Sequence, residues 1–385
     1  MVYLLPVVVL FFMNLILSKS NFRYSKIIIL FFSVTFIFIS SLRYRIGTDW
    51  EPYYEFFHLP SYKLMLEHYF EPLYKLLAII VKLLFNNYYA FLFVIGSFFL
   101  VETYTVNKIA LETMKPRGYS STILLLAIYM FRFADYMGGQ RQALAVALCM
   151  VSLMFRLKNK TFASIIVWIL AILFHYSASI FIIPMIIYGM IEERGRRIFE
   201  INPLVISLFL IVFFSISYWI INNSLVLNRN IPVISSILMK MVVYQGKRGT
   251  LGIIDYSFRD PLLVSERILF NLLFIIIGKN FYRKNRFGKF LLATYSFSTL
   301  YYIFFMFTAR VIAGRGIAYF RFSDVLLLST LPEALRSRLR KSDYNSLLAT
   351  KLFEFLIITY IVARFVVVVL WANRIFYLPY KSILQ

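Results

Sequence analysis

The stretch Ile27-Ile-Ile-Leu-Phe-Phe-Ser-Val-Thr-Phe-Ile-Phe-Ile-Ser-Ser-Leu42, stopped by Arg43-Tyr-Arg45, decides the fold class. It carries no charge and is too apolar for one face of a soluble helix. Crossing a bilayer takes about 20 mostly apolar residues, and lipid cannot satisfy an open backbone, so such a run reads as a membrane helix. Comparable runs recur at Tyr88–Val101, Ser120–Phe133, Thr161–Phe174, Leu204–Ile221, Phe290–Phe307 and Phe353–Trp371. Over 385 residues the chain is 61% hydrophobic and 15% charged, with a mean hydropathy of +0.76. The alternating ten-residue segments of an outer-membrane barrel are absent. The expectation is an all-α polytopic membrane protein, residues 1–385 forming one integral domain of about 12 spans. Met1–Leu17 lacks a basic leader and a small-residue cleavage site, and reads as a retained first span.

A net charge of +23 would ordinarily bring nucleic acid to mind. Cytoplasmic loops of membrane proteins collect Lys and Arg, which accounts for the charge and orients the chain. Lys19, Arg23 and Lys26 place the first loop inside, and residues 43–71 then form an outer loop. Pro72–Phe85 is short and contains Lys75 and Lys82, so it reads as an interfacial or re-entrant helix. With that choice Lys108, Lys115, Arg117, Arg156, Lys158, Lys160, Arg194, Arg196, Arg197, Lys279–Lys289 and Arg336–Lys341 all fall inside, and residues 222–261 form a second outer loop. The single cysteine, Cys149, offers neither a disulfide nor a zinc cluster.

Some arginines fall on the wrong side for this rule. An ionisable group at membrane depth costs at least about 2.5–3.5 kcal/mol, so each is a functional candidate. Arg43-Tyr-Arg-Ile-Gly-Thr-Asp-Trp-Glu-Pro-Tyr-Tyr54 opens the first outer loop. Arg43 and Arg45 can fork onto an anion. Asp49 can act as a base or accept from sugar hydroxyls, and Trp50, Tyr53 and Tyr54 can stack on a sugar. A charged helix cap would look similar. Gly138-Gly-Gln-Arg-Gln-Ala-Leu-Ala-Val-Ala147 starts a span with Arg141 and Gln142, where a helix N-terminus favours anions. Its small residues Gly139, Ala143 and Ala147 fit close helix packing. His175-Tyr-Ser-Ala-Ser179 sets a histidine at an outer turn, suited to acid–base work or to a structural hydrogen bond. Arg310 to Asp324 holds Arg315 between Gly314 and Gly316, then Arg321 three residues before Asp324. Arg132 and Asp135 repeat that spacing, which brings side chains into pairing reach on a helix.

Several arginines on one outer face suit a diphosphate carried on a lipid. There is no phosphate-cradling nucleotide loop. The four motifs, in this order between Arg43 and Asp324, resemble the EpsG family of Wzy-type bacterial polysaccharide polymerases. The resemblance rests on Gly47-Thr-Asp49 after an arginine-rich turn, Gln140-Arg-Gln-Ala-Leu-Ala145, His175-Tyr-Ser-Ala178 and the Arg315/Arg321 segment. It implies a GT-C-like helical fold in the bacterial cytoplasmic membrane with its site facing outside. It implies joining of oligosaccharide repeat units, both donor and acceptor carried on undecaprenyl diphosphate, for O-antigen, capsule or exopolysaccharide. Membrane lipids, a flippase and a chain-length regulator are the implied partners, with no nucleic acid. The implied site is Arg43, Arg45, Arg132, Arg141, Gln142, Arg315 and Arg321 on the diphosphate, with His175 or Asp49 as base, and neither metal nor other cofactor. The rivals are an exporter of the same lipid-linked sugar, and a metal-dependent GT-C transferase using the Asp49-Trp-Glu51 spacing.

Overall fold

The computed structural model describes residues 2–17, 23–114, 118–194, 259–308, 310–339, 344–371 and 373–383. Among them the structure is helical, without a β-strand and with one isolated antiparallel bridge between Arg43 and Ser382. The all-α expectation holds. The chain gathers into two compact units, Met1–Met185 with Asp324–Gln385, and Ile186–Ser323. The Leu204–Ile221 run and all but the last three residues of the 222–261 loop lie outside the described residues.

In the first unit, α1 (Leu5–Leu17) and α2 (Arg23–Ser41) precede two short helices, α3 (Trp50–Phe57) and α4 (Tyr62–Glu67). Then come α5 (Pro72–Phe85), the long α6 (Tyr88–Met114), α7 (Ser121–Met137), α8 (Gln140–Leu157) and α9 (Thr161–Phe174). Helices α2 and α6 run antiparallel. Gly96 of α6 faces Ser40 and Ser41, while seven residues on Thr103 meets Ser33 at 2.9 Å. Small hydroxyls let the two backbones approach, as membrane helices commonly do. Ser152 and Ser164 tie α8 to α9 in the same way, at 3.0 Å.

Helix α5 has a proline at its start and a left-handed Asn86 at its end, both ordinary boundary signals. Tyr74, Ala78 and Val81 form its buried face, and Leu76, Ile80, Leu83 and Leu84 its exposed one. The Tyr74 hydroxyl donates to Gln140 Oε1 at 2.8 Å, and Gln140 Nε2 donates to the Tyr88 hydroxyl at 3.2 Å. The first turn of α5 and the first residue of α6 therefore meet on the first residue of α8. Both ends of α5, the far one through Tyr88, are thus tied to the start of α8.

Tyr88–Met114 and Asn345–Leu370 are long and apolar enough to cross a membrane, and Val2–Asn14, Lys26–Ser41, Thr161–Phe174 and Tyr176–Glu192 form shorter apolar helices. The Thr161–Phe174 helix ends where the sequence places a turn, at His175, whose backbone is extended (φ −158°, ψ 116°) between α9 and a 3-10 helix, Tyr176–Phe181. Helix α10 (Ile182–Arg194) follows.

The second unit holds α11 (Arg259–Arg283) and α12 (Arg286–Thr308), then α13 (Arg310–Ile317). Arg267 lies buried between the Tyr295 and Tyr302 rings and donates to Ser298 Oγ at 2.6 Å. The chain closes with α14 (Arg321–Arg338), α15 (Tyr344–Arg364), a π-helical turn Phe365–Trp371, and α16 (Arg374–Tyr377).

Candidate active site

The arginine-rich loop after α2 is held on both sides. The backbone N–H of Tyr44 donates to Lys381 O at 3.0 Å, that of Gly47 to Phe376 O at 3.0 Å, and that of Ile383 to Leu42 O at 3.1 Å. The C-terminal segment thus straps the loop from one side. On the other side the loop rests on the turn between α7 and α8. Gly47 has φ +111°, a region that side-chain-bearing residues avoid. A β-carbon on Gly138 would fall 2.3 Å from Thr48 Oγ1. Two glycines, one in each segment, allow that approach.

Within this loop Arg43 and Arg45 diverge. Arg43 is 1% exposed; its Nε donates to Ile46 O at 3.1 Å, its Nη1 donates to Ser40 O, and Nη2 is buried without a partner. The expectation that Arg43 grips an anion meets a guanidinium enclosed by the loop it supports. Arg45, with φ 51°, is exposed and lies 3.9 Å from Glu51. Asp49 is half-buried at the start of α3 and makes no side-chain cap.

The next two motifs meet on a residue that the sequence reading left unassigned. Glu71 precedes α5 and is 4% exposed. Arg141 Nη1 donates to Glu71 Oε2 at 2.5 Å, and His175 Nδ1 lies 2.8 Å from Glu71 Oε1. Arg141 Nε also reaches the Tyr53 hydroxyl at 3.3 Å, and its guanidinium lies 4.3 Å from the Phe70 ring centroid. Burial pushes the Glu71 carboxyl up, but the His175 hydrogen bond and the Arg141 charge outweigh it and hold the pKa at about 2. One end of the first unit therefore gathers Arg45, Asp49, Glu71, Arg141 and His175, with Gln142 buried on the first turn of α8. Fixed guanidinium beside an imidazole–carboxylate pair can bind an anion and move a proton.

The EpsG family profile matches residues 26–382 of the chain. The chain belongs to the EpsG family. It is a membrane protein of polysaccharide biosynthesis, of polymerase type with glycosyltransferase-like activity. Neither a curated protein nor a solved structure matches it.

Other expected site residues of this EpsG chain stand in different surroundings. Arg132 does pair with Asp135, as the spacing predicts, but it also pairs with Glu102 at 2.8 Å. The Tyr136 hydroxyl donates to the second Glu102 oxygen at 2.8 Å. Glu102 lies midway along α6, so this 2%-exposed guanidinium is enclosed in the helix bundle and not set at its rim. Arg315 and Arg321, both half-buried, belong to the second unit. Arg315 lies in the helical segment α13, whose Gly316 packs on Tyr301: a β-carbon there would fall 2.1 Å from the Tyr301 hydroxyl. Gly314 faces open space. The aromatic expectation needs correction. Trp50 and Tyr53 are buried in a cluster with Phe56, Phe70, Tyr74 and Tyr88, and cannot stack on a sugar. Exposed rings at this end include Tyr44, Tyr62, Tyr69 and Tyr176.

Proposed function

We propose that the chain polymerises oligosaccharide repeat units carried on undecaprenyl diphosphate, at the membrane face away from the cytoplasm. The acceptor hydroxyl oxygen attacks the anomeric carbon of the donor. The bond from that carbon to the diphosphate breaks, and undecaprenyl diphosphate leaves with the electron pair. His175 takes the acceptor proton, and Asp49 orients the hydroxyl. Arg45 and Arg141 offset the charge developing on the leaving diphosphate. With Arg141 Nε bonded to Tyr53 and one Nη1 hydrogen to Glu71, the other Nη1 hydrogen and Nη2 meet the anion. Arg43 holds the loop in place, and Arg132 neutralises carboxylates within the bundle.

The observation that carries this reading is the meeting of Arg141 and His175. They are distant in sequence, yet one carboxylate holds both, beside the loop of Arg45 and Asp49. Purified protein incubated with a lipid-linked repeat unit should give a ladder of products on a gel. EDTA should leave the ladder intact, because guanidinium groups supply the charge that a metal would. Single units that persist in the presence of active-form protein would refute the reading. Loss of the ladder in EDTA, restored by magnesium or manganese, would shift it to a metal-dependent transferase.

A further inference from the structure

We propose that Glu71 is a positioning residue of this site: its two oxygens fix the Arg141 guanidinium and the His175 imidazole in one relation and hold the imidazole proton on Nδ1. The inference rests on the polymerase reading above. It begins from an oddity of local structure. Glu71 sits at the N-cap of α5, where an acidic side chain ordinarily turns back to the first free backbone N–H groups. Its side chain makes no such bond. It turns instead toward α8 and the break after α9.

Both partners are built to meet it. His175 leaves the helical path through its extended backbone, which frees its ring to reach α5. Arg141 is braced from the other sides by Phe70 and the Tyr53 hydroxyl. The groups facing the carboxylate are therefore Arg141 from α8, His175 from the turn after α9, and Tyr53 from α3. An ionised carboxylate only accepts hydrogen bonds, so the Nδ1 atom it touches must carry the proton. In a neutral imidazole the other nitrogen is then the base, and the tautomer is set by Glu71 and not by the substrate. The same carboxylate prevents Arg141 from swinging away when no anion is bound. Group and base thus keep one geometry through each cycle of addition, which is what an in-line displacement requires.

The test compares Glu71→Gln, His175→Ala and the double variant in full-length protein reconstituted with a lipid-linked repeat unit. Glu71→Gln should lower the polymerisation rate by roughly 10²–10⁴-fold, the span of a general base held in the wrong form. Added to His175→Ala it should cost little more, because residues acting as one unit are not additive. Its pH–rate profile should also move its acidic limb to lower pH, since a negative neighbour that favours imidazolium is gone. Full additivity with an unmoved profile would overturn the proposal. Glu71→Asp guards against misfolding: it keeps the charge but is too short to hold both partners, so a normal rate in that variant also overturns it. If wild-type protein makes no polymer, the polymerase reading fails by itself. The positioning claim then stands or falls on the ¹⁵N spectrum of the imidazoles: an Nδ1–H tautomer for His175 that Glu71→Gln abolishes supports it, and an unchanged tautomer refutes it.

Discussion

The carbonyl oxygen of Met137 occupies the place where a β-carbon on Gly47 would sit, 1.8 Å from it. The arginine-rich loop is thus pressed against the end of α7, one turn from Arg141. Gly47→Ala should break this docking through both the clash and the positive φ. A left-handed or otherwise sparse backbone conformation costs a side-chain-bearing residue about 1–3 kcal/mol, before any clash. The variant should show a lower melting temperature in detergent and little polymer. Gly314→Ala, which meets open space, should change neither.

Glu71 should stay ionised where a free glutamate does not. Its pKa falls from 4.5 unfolded to about 2 folded. A depressed carboxylate contributes stability that is fully present above its unfolded value and is lost as pH falls through its folded value. The melting-temperature gap between wild type and Glu71→Gln should therefore be nearly full at pH 4.5, shrink progressively below it and close as the pH reaches about 2. A gap already closed by pH 4 would show that Arg141 and His175 do not hold the charge.

The Glu102–Arg132–Asp135 group, in which Glu102 and Arg132 are buried, should matter for folding more than for chemistry. Removing one partner of a buried ion pair strands the other charge and costs about 3–5 kcal/mol. Arg132→Met should lower protein yield sharply. Combining it with Glu102→Leu and Asp135→Leu should restore yield, because well-packed apolar residues replace buried ions at little cost. Yield that falls further in the triple variant would count against an enclosed structural role.

Much of this was legible in the sequence, and the failures have physical causes. Helix α5 could be delimited because Pro72 and Asn86 are local signals, and it forms over Pro72–Phe85. The Arg132–Asp135 pair was legible because helical spacing fixes it. Glu102 was not, since its partner lies on another helix and a lone acid in an apolar run has no periodic mark. Glu71 was hidden for the same reason, among five acidic residues of one loop. Trp50 and Tyr53 were misassigned because a tyrosine-rich segment reads alike whether it faces a sugar or packs on itself. The C-terminal strap left no trace, since backbone hydrogen bonds carry no side-chain signature.

The central claim is that arginines from separate segments act on one diphosphate, and exchange of guanidinium for ammonium tests it most directly. A guanidinium grips a phosphate through two parallel hydrogen bonds, which an ammonium cannot do at equal charge. Polymer length should be measured for Arg45→Lys and Arg141→Lys at equal protein level. Arg156→Lys, at the far end of α8 from Arg141, serves as control. Each of the two should shorten or abolish the ladder, and alanine should do worse, by about 2.7–4 kcal/mol of transition-state stabilisation if each acts as an oxyanion donor. The control should polymerise normally. Normal ladders from both lysine variants would contradict the account and leave these arginines as headgroup anchors.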